Sequence, residues 1–209
     1  MSWNVLGHEW AETLLEGHIR RGEVRHAYLL AGAPGLGRRT LALRFVQALN
    51  CPTPTSPGQP CRKCRACQQI ERQQHIDLAV IEAERVGGTL KVEQIRDLQR
   101  SLSLSPYEGA YRVAVLLRFQ EANPNAQNAL LKTLEEAPRK VVLLLTADSG
   151  ESLLPTIVSR CEVLRLRPLS ADRLQEELLL RGFGADEARL LARVSGGRTG
   201  HALRMHDPF

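Results

Sequence analysis

The stretch His26-Ala27-Tyr28-Leu29-Leu30-Ala31-Gly32-Ala33-Pro34-Gly35-Leu36-Gly37-Arg38-Arg39-Thr40 decides the fold. From His26 to Ala31 the run is short, largely apolar and without polar alternation, which predicts a strand buried on both faces. A glycine-rich turn follows at once, Gly32-x-x-x-x-Gly37, and then a helical stretch from Arg38 to about Asn50. Strand, glycine turn and helix in that order are the context of a phosphate-binding loop, in which backbone N–H groups and the helix N-terminus face the phosphates. The working pattern needs Lys and then Ser or Thr after the second glycine. Arg38 and Arg39 stand there instead, with Thr40 one place late. The lysine reaches the β- and γ-phosphates and the hydroxyl ligates Mg²⁺; an arginine in the hydroxyl's place supplies no oxygen ligand. Gly32, Gly35, Gly37, Arg38 and Arg39 therefore read as a degenerate phosphate loop, and ATP is not expected to bind.

Outward from the loop, apolar runs alternate with helical stretches. Leu78–Glu82, Arg112–Leu117, Val141–Thr146 and Val163–Arg167 read as further strands, the last halted by Pro168. Helices are expected over residues 7–21, with Trp10, Leu14 and Ile19 as the apolar side, over Val92–Leu102 and over Asn125–Glu136. This alternation predicts an α/β fold with a parallel sheet flanked by helices. From Ser170 onward only helices are expected, over 170–181 and 185–194 and in a short turn near His201. The change of texture at Pro168 predicts a domain over 1–168 and a small helical domain over 169–209.

The 209 residues carry 28 Lys+Arg against 23 Asp+Glu, a net charge of +5, and 43% are hydrophobic, which suffices for a sizeable core. Aromatics are only 4%, against a surface that stacks many bases. No apolar run reaches about 18 residues, and Met1-Ser2-Trp3 opens no signal peptide, so neither a membrane span nor secretion is expected, and a cytoplasmic location is. Only Lys63, Lys91, Lys132 and Lys140 are lysines. Arginine suits phosphate recognition through its bidentate fork, although genomic codon usage produces the same bias.

Three further features bear on chemistry. Cys51-x9-Cys61-x2-Cys64-x2-Cys67 places four thiols in a short, Pro-rich stretch. In a reducing compartment metal ligation is favoured over disulfides, and four thiolates make a closed, structural zinc site; an iron–sulfur cluster and four free cysteines are the other readings. A nucleoside triphosphatase needs an Asp, usually with a Glu, at a nearby strand tip, but Val113–Leu117 runs into Arg118-Phe119-Gln120-Glu121. Finally, Thr156-Ile157-Val158-Ser159-Arg160-Cys161 precedes the fifth strand. Arg160 reads either as a solvated residue or as an arginine finger offered to a neighbour's γ-phosphate, and spacing leaves both open. His8, His18, His26, His75, His201 and His206 show no metal-like pairing, while Glu135 and Glu136 read as a solvated helix face.

With the glycine loop, the four cysteines, Asn128-Ala-Leu-Leu-Lys-Thr-Leu-Glu-Glu136 and Ser159-Arg160-Cys161 in this order, the chain resembles the bacterial clamp-loader subunits of the AAA+ ATPases. That family loads the sliding clamp of the DNA polymerase III holoenzyme onto primed DNA. The resemblance implies a RecA-like AAA+ sheet with an inserted zinc module at about 51–67 and a small helical lid. The family's motor members, gamma/tau, keep Lys-Thr after the loop, Asp-Glu on a strand and a nucleotide-sensing arginine in a Gly-Ser-x-Arg-Asp-Ala-Leu pattern. Arg38-Arg39, Leu117-Arg118 and Gly197-Arg198-Thr199-Gly200-His201-Ala202-Leu203 stand at the matching places here, with glycine at the sensor. These departures resemble the delta-prime stator, a pseudo-ATPase and no enzyme by itself.

The same resemblance implies that Arg160 completes the ATP site of an adjacent subunit in trans, with Ser159 and Cys161 shaping its turn. It assigns Cys51, Cys61, Cys64 and Cys67 to structural zinc. It implies gamma/tau and delta subunits as partners, with primed DNA and the sliding clamp reached through the complex. The family's helical collar domain would follow Phe209, so a fragment of a longer subunit is expected. A gamma/tau-type ATPase with Arg38 replacing lysine, and a zinc-dependent DNA-binding protein, are the alternatives.

Overall fold

In the computed structural model, which describes residues 3–206, the apolar runs form one parallel sheet. Its strands are β1 (Ala27–Ala31), β2 (Leu78–Ile81), β3 (Arg112–Leu116), β4 (Val141–Ala147) and β5 (Glu162–Arg165), in spatial order β2-β3-β4-β1-β5. Register places Leu29 of β1 between Leu145 of β4 and Val163 of β5. The helices are α1 (Glu9–Arg21), α2 (Arg38–Asn50), α3 (Arg65–Glu71), α4 (Val92–Leu102), α5 (Pro124–Glu135), α6 (Pro155–Val158), α7 (Ala171–Leu180), α8 (Ala185–Val194) and α9 (Thr199–His206).

Alternation along the strands builds two cores. Tyr28, Leu30, Val113, Val115, Val142 and Leu144 face Leu15 of α1 and Leu41 and Phe45 of α2. Leu29, Ala114, Leu116, Leu143 and Leu145 face Ile95 and Leu98 of α4 and Leu130 and Leu134 of α5. Each Leu, Val or Phe so buried contributes about 1.5–3 kcal/mol. With both faces covered, every residue of β1 and β4 is buried, which is why these strands read as continuous apolar runs.

The helix boundaries have local causes. Asn123 caps α5 by accepting the Ala126 N–H at 2.8 Å, and Pro124 fills the first helical position. Ser170 caps α7 through the Arg173 N–H. Gly22 ends α1 at φ +69°.

The buried side of α1 matches the expected one at Leu14 and Ile19, which pack against the first core, and departs from it at Trp10. Trp10 is 47% exposed, whereas Ala11, Glu12, Leu15 and His18 are buried. Polar partners bring Glu12 and His18 inside: Glu12 accepts the N–H groups of Trp3 and Val5, and the His18 ring lies 3.0 Å from the Tyr28 hydroxyl. Two short helices, α3 and α6, occupy stretches where the sequence predicts none. A third apolar cluster joins α7, α8 and α9 through Leu174, Leu178, Ala188, Leu191 and Ala202. It adjoins the sheet portion where the Leu169 N–H donates to the Gly197 carbonyl at 3.0 Å. Residues 1–2 and 207–209 of the two expected spans lie outside the described residues.

Candidate functional site

The turn after β1 has the backbone of a phosphate loop. Gly35 and Gly37 lie at φ +87° and +80°, where a Cβ is unfavourable, and Gly37 opens α2. Gly32 precedes them and donates its N–H to Ala147 at the end of β4. Leu36 is buried, with its carbonyl 2.7 Å from His8 Nε2. Above the loop is a cleft of about 430 Å³ whose lining includes Arg38, Arg39, Thr40, Arg118 and Arg204, and no carboxylate among the described residues.

The acids beside this cleft are already engaged. Arg38, in the lysine's place, is 10% exposed and pairs with Asp148 after β4 at 2.9 Å. Arg118, just past the end of β3, sits at φ +49°, with its N–H bonded to Thr146. Its guanidinium reaches Glu82 at 2.8 Å and Glu121 at 3.0 Å. The cleft thus offers cations to an anion and no free carboxylate to Mg²⁺. Arg39 and Thr40 are exposed on the first turn of α2.

The helical segment touches the loop directly. The Gly200 N–H, in the first turn of α9, donates to the Gly35 carbonyl at 2.8 Å. A Cβ at Gly200 would stand 3.0 Å from that oxygen. Glycine at position 200 leaves room for this contact.

The four cysteines come together as expected. Their Sγ atoms all lie within 4.8 Å of one another, with Cys51–Cys61 at 3.6 Å and Cys51–Cys64 at 4.0 Å. Sulfurs at about 2.3 Å from a tetrahedral zinc stand about 3.8 Å apart, so the donor set fits, whereas a disulfide needs about 2.05 Å. The cluster could bind a metal such as zinc. Backbone N–H groups of Cys61 and Cys64 point at Cys51 and Cys61 sulfurs, at 3.4 and 3.3 Å, a geometry that stabilises thiolates. The Thr53 hydroxyl holds the Cys61 thiol down at about 6, while burial pushes Cys51 and Cys67 up. Cys64 caps α3, and Gln47 of α2 anchors the module by donating to the Cys67 carbonyl at 2.8 Å.

Arg160 lies elsewhere. It follows α6, and its Nη1 donates to the Thr156 carbonyl at 2.8 Å while its Nη2 meets Glu135 Oε1 at 2.8 Å. Ser159 closes the same turn by donating to Thr156, at 3.2 Å. Cys161 packs against the second core, and burial pushes its thiol up to about 12. β1 and β5 run parallel, pairing Tyr28 with Glu162 and Ala31 with Arg165. The glycine loop leaves the C-terminal end of β1, whereas Arg160 enters the N-terminal end of β5. Three residue steps, about 10 Å of strand, separate the two ends, and Arg160 does not line the cleft.

A family profile described as DNA polymerase III, delta subunit, matches residues 7–170. The chain belongs to the DNA polymerase III delta-subunit family. Among its curated relatives, the delta′ subunit of Pseudomonas aeruginosa DNA polymerase III is 36% identical over 94% of this chain and 60% of that protein. The tau subunit of Escherichia coli is 34% identical over 98% of this chain and 32% of that protein. The chain thus spans between a third and three fifths of these relatives' lengths. Among solved structures, the Thermotoga maritima RuvB Holliday junction branch migration motor superposes with a TM-score of 0.60 at 21% identity, covering 94% of this chain and 58% of that one. A gamma-subunit-related protein of DNA polymerase III from the same organism gives 0.56 at 22% identity, covering 89% and 57%. These likenesses show the AAA+-type fold that the motifs led one to expect.

In this delta-family chain two participants escape sequence reading. Asp148 neutralises Arg38, and Glu135 engages Arg160 instead of merely forming a solvated face. Glu135 is the penultimate residue of the Asn128–Glu136 string that carries the family resemblance, and that was its only signal. Among the described residues no helix is long and apolar enough to cross a membrane.

Proposed function

We propose that the chain is a delta-prime-type stator of a clamp loader, itself without ATPase activity, that supplies Arg160 to the ATP site of an adjacent gamma/tau subunit. The observation that carries this reading is the position of Arg160 at the end of the sheet opposite its own glycine loop, where it is accessible to a neighbour and remote from its own cleft. There the guanidinium would stabilise charge on the γ-phosphate oxygens as the bond to the leaving group breaks, a role worth about 10³–10⁵ in rate in other nucleotide hydrolases. The Arg38–Asp148 and Arg118–Glu82/Glu121 pairs support the loss of hydrolysis, since they consume the groups that would position Mg²⁺ and water.

In this reading residues 1–168 form the nucleotide-binding-like domain and 169–209 the lid. Cys51, Cys61, Cys64 and Cys67 hold a structural zinc, which supplies cross-linking of the 51–67 segment and no catalysis. The delta subunit is the other neighbour, and the complex, located in the cytoplasm, acts on the sliding clamp and primed DNA. Titration with a fluorescent ATP analogue and Mg²⁺, together with turnover by the chain alone, tests the inactive cleft. No saturable Mg²⁺-dependent binding and no turnover are expected; tight binding with turnover would make it a gamma/tau-type ATPase.

A further inference from the structure

We infer that Glu135 is a positioning residue for Arg160: the last residue of α5 holds the guanidinium in its working orientation before any neighbour docks. The inference rests on the reading of Arg160 as a finger acting in trans. Three observations carry it.

First, α5 fastens the turn that bears the arginine at both ends. Gln127, buried in α5, accepts the N–H of Leu154, the cap residue of α6, at 3.0 Å and donates to the Ala122 carbonyl at 3.2 Å. Eight residues further along, about 12 Å of helix axis, Glu135 receives Arg160 Nη2. Second, the space between these two points is packed. Leu130 and Leu134 of α5 share one apolar cluster with Leu153 and Ile157 of the α6 turn, so the turn cannot slide along the helix.

Third, the anchoring leaves the fork usable. A guanidinium has five N–H donors; Nη1 spends one on Thr156 and Nη2 one on Glu135. With the side chain 35% exposed, three donors are left over for an anion. An unanchored arginine on the surface would sample many rotamers and lose that freedom on contact with the phosphate. The Glu135 carboxylate removes much of this freedom beforehand.

The test uses the reconstituted loader and its DNA-stimulated ATP turnover, with kcat and KM for ATP measured separately. Glu135→Ala is expected to lower kcat about three- to fivefold, the scale of one exposed ion pair, with KM unchanged. Glu135→Gln keeps an acceptor oxygen and is expected to recover most of the loss. Glu135→Ala added to Arg160→Ala is expected to lower turnover no further. Gel filtration and thermal unfolding of each variant confirm an intact loader. If Arg160→Ala depresses turnover while Glu135→Ala leaves it unchanged or raises it, the positioning role is wrong and the finger reading stands. If Arg160→Ala itself changes nothing, the finger reading fails and the positioning role with it.

Discussion

The backbone N–H of Gly200 donates to the carbonyl of Gly35 at 2.8 Å, so the first turn of α9 closes directly on the glycine loop that follows β1. In a subunit that sensed nucleotide from this position, a long side chain would stand where the two backbones touch. Here the first turn of α9 and the loop are already bonded to each other.

Gly200→Arg should therefore separate α9 from the loop rather than restore sensing. Its Cβ would begin 3.0 Å from the Gly35 oxygen, and overpacking of this kind costs about 1–3 kcal/mol. Urea unfolding should show the midpoint lowered, with faster amide exchange in α9. An unchanged midpoint would mean that the contact contributes nothing.

Metal removal should act locally. The purified chain is expected to hold one zinc per molecule by elemental analysis, released by a strong chelator or by Cys64→Ser. The cap that Cys64 provides to α3 and the Gln47–Cys67 bond should be lost with it. Circular dichroism should then report the loss of about one short helix while the sheet persists. Iron in place of zinc would overturn the assignment.

Asp77, 1% exposed, accepts the N–H groups of Tyr107, Glu108 and Gly109 at 2.7–2.8 Å. Burial alone would raise its pKa, but these three bonds outweigh burial and hold the carboxyl below its usual range. A depressed folded value means that ionised Asp77 stabilises the native state fully above its unfolded pKa of about 3.9, and that this stability is lost as pH falls through the folded value. Asp77→Asn should cost about 1–3 kcal/mol at pH 7. The gap between the two proteins in denaturant titrations should be flat from pH 5 to 8 and narrow below about pH 4. A gap that widens on acidification would contradict this.

Much of the fold is legible because a doubly covered parallel sheet leaves unbroken apolar runs such as Val141–Ala147. The cysteine cluster is legible because its ligands are close in sequence. The buried side of α1 is legible only in part: Leu14 and Ile19 follow the hydrophobic pattern, but Glu12 and His18 are buried through partners (the Trp3 and Val5 amides and the Tyr28 hydroxyl) that no such pattern reveals. Nor are the pairs Arg38–Asp148 and Arg160–Glu135. Each joins residues far apart in sequence that only the sheet order makes neighbours. The loss of the lysine and hydroxyl after the glycine loop is a sequence fact; that Arg38 is paired with Asp148 is a structural one.

The most direct test of the account is ATP turnover by the loader reconstituted on primed DNA with Arg160→Ala in this chain, set beside wild type. The account predicts a fall in kcat with assembly and the KM for ATP preserved, and no recovery with Arg160→Lys, which keeps the charge and loses the fork. Wild-type kcat in the Arg160→Ala loader would contradict it.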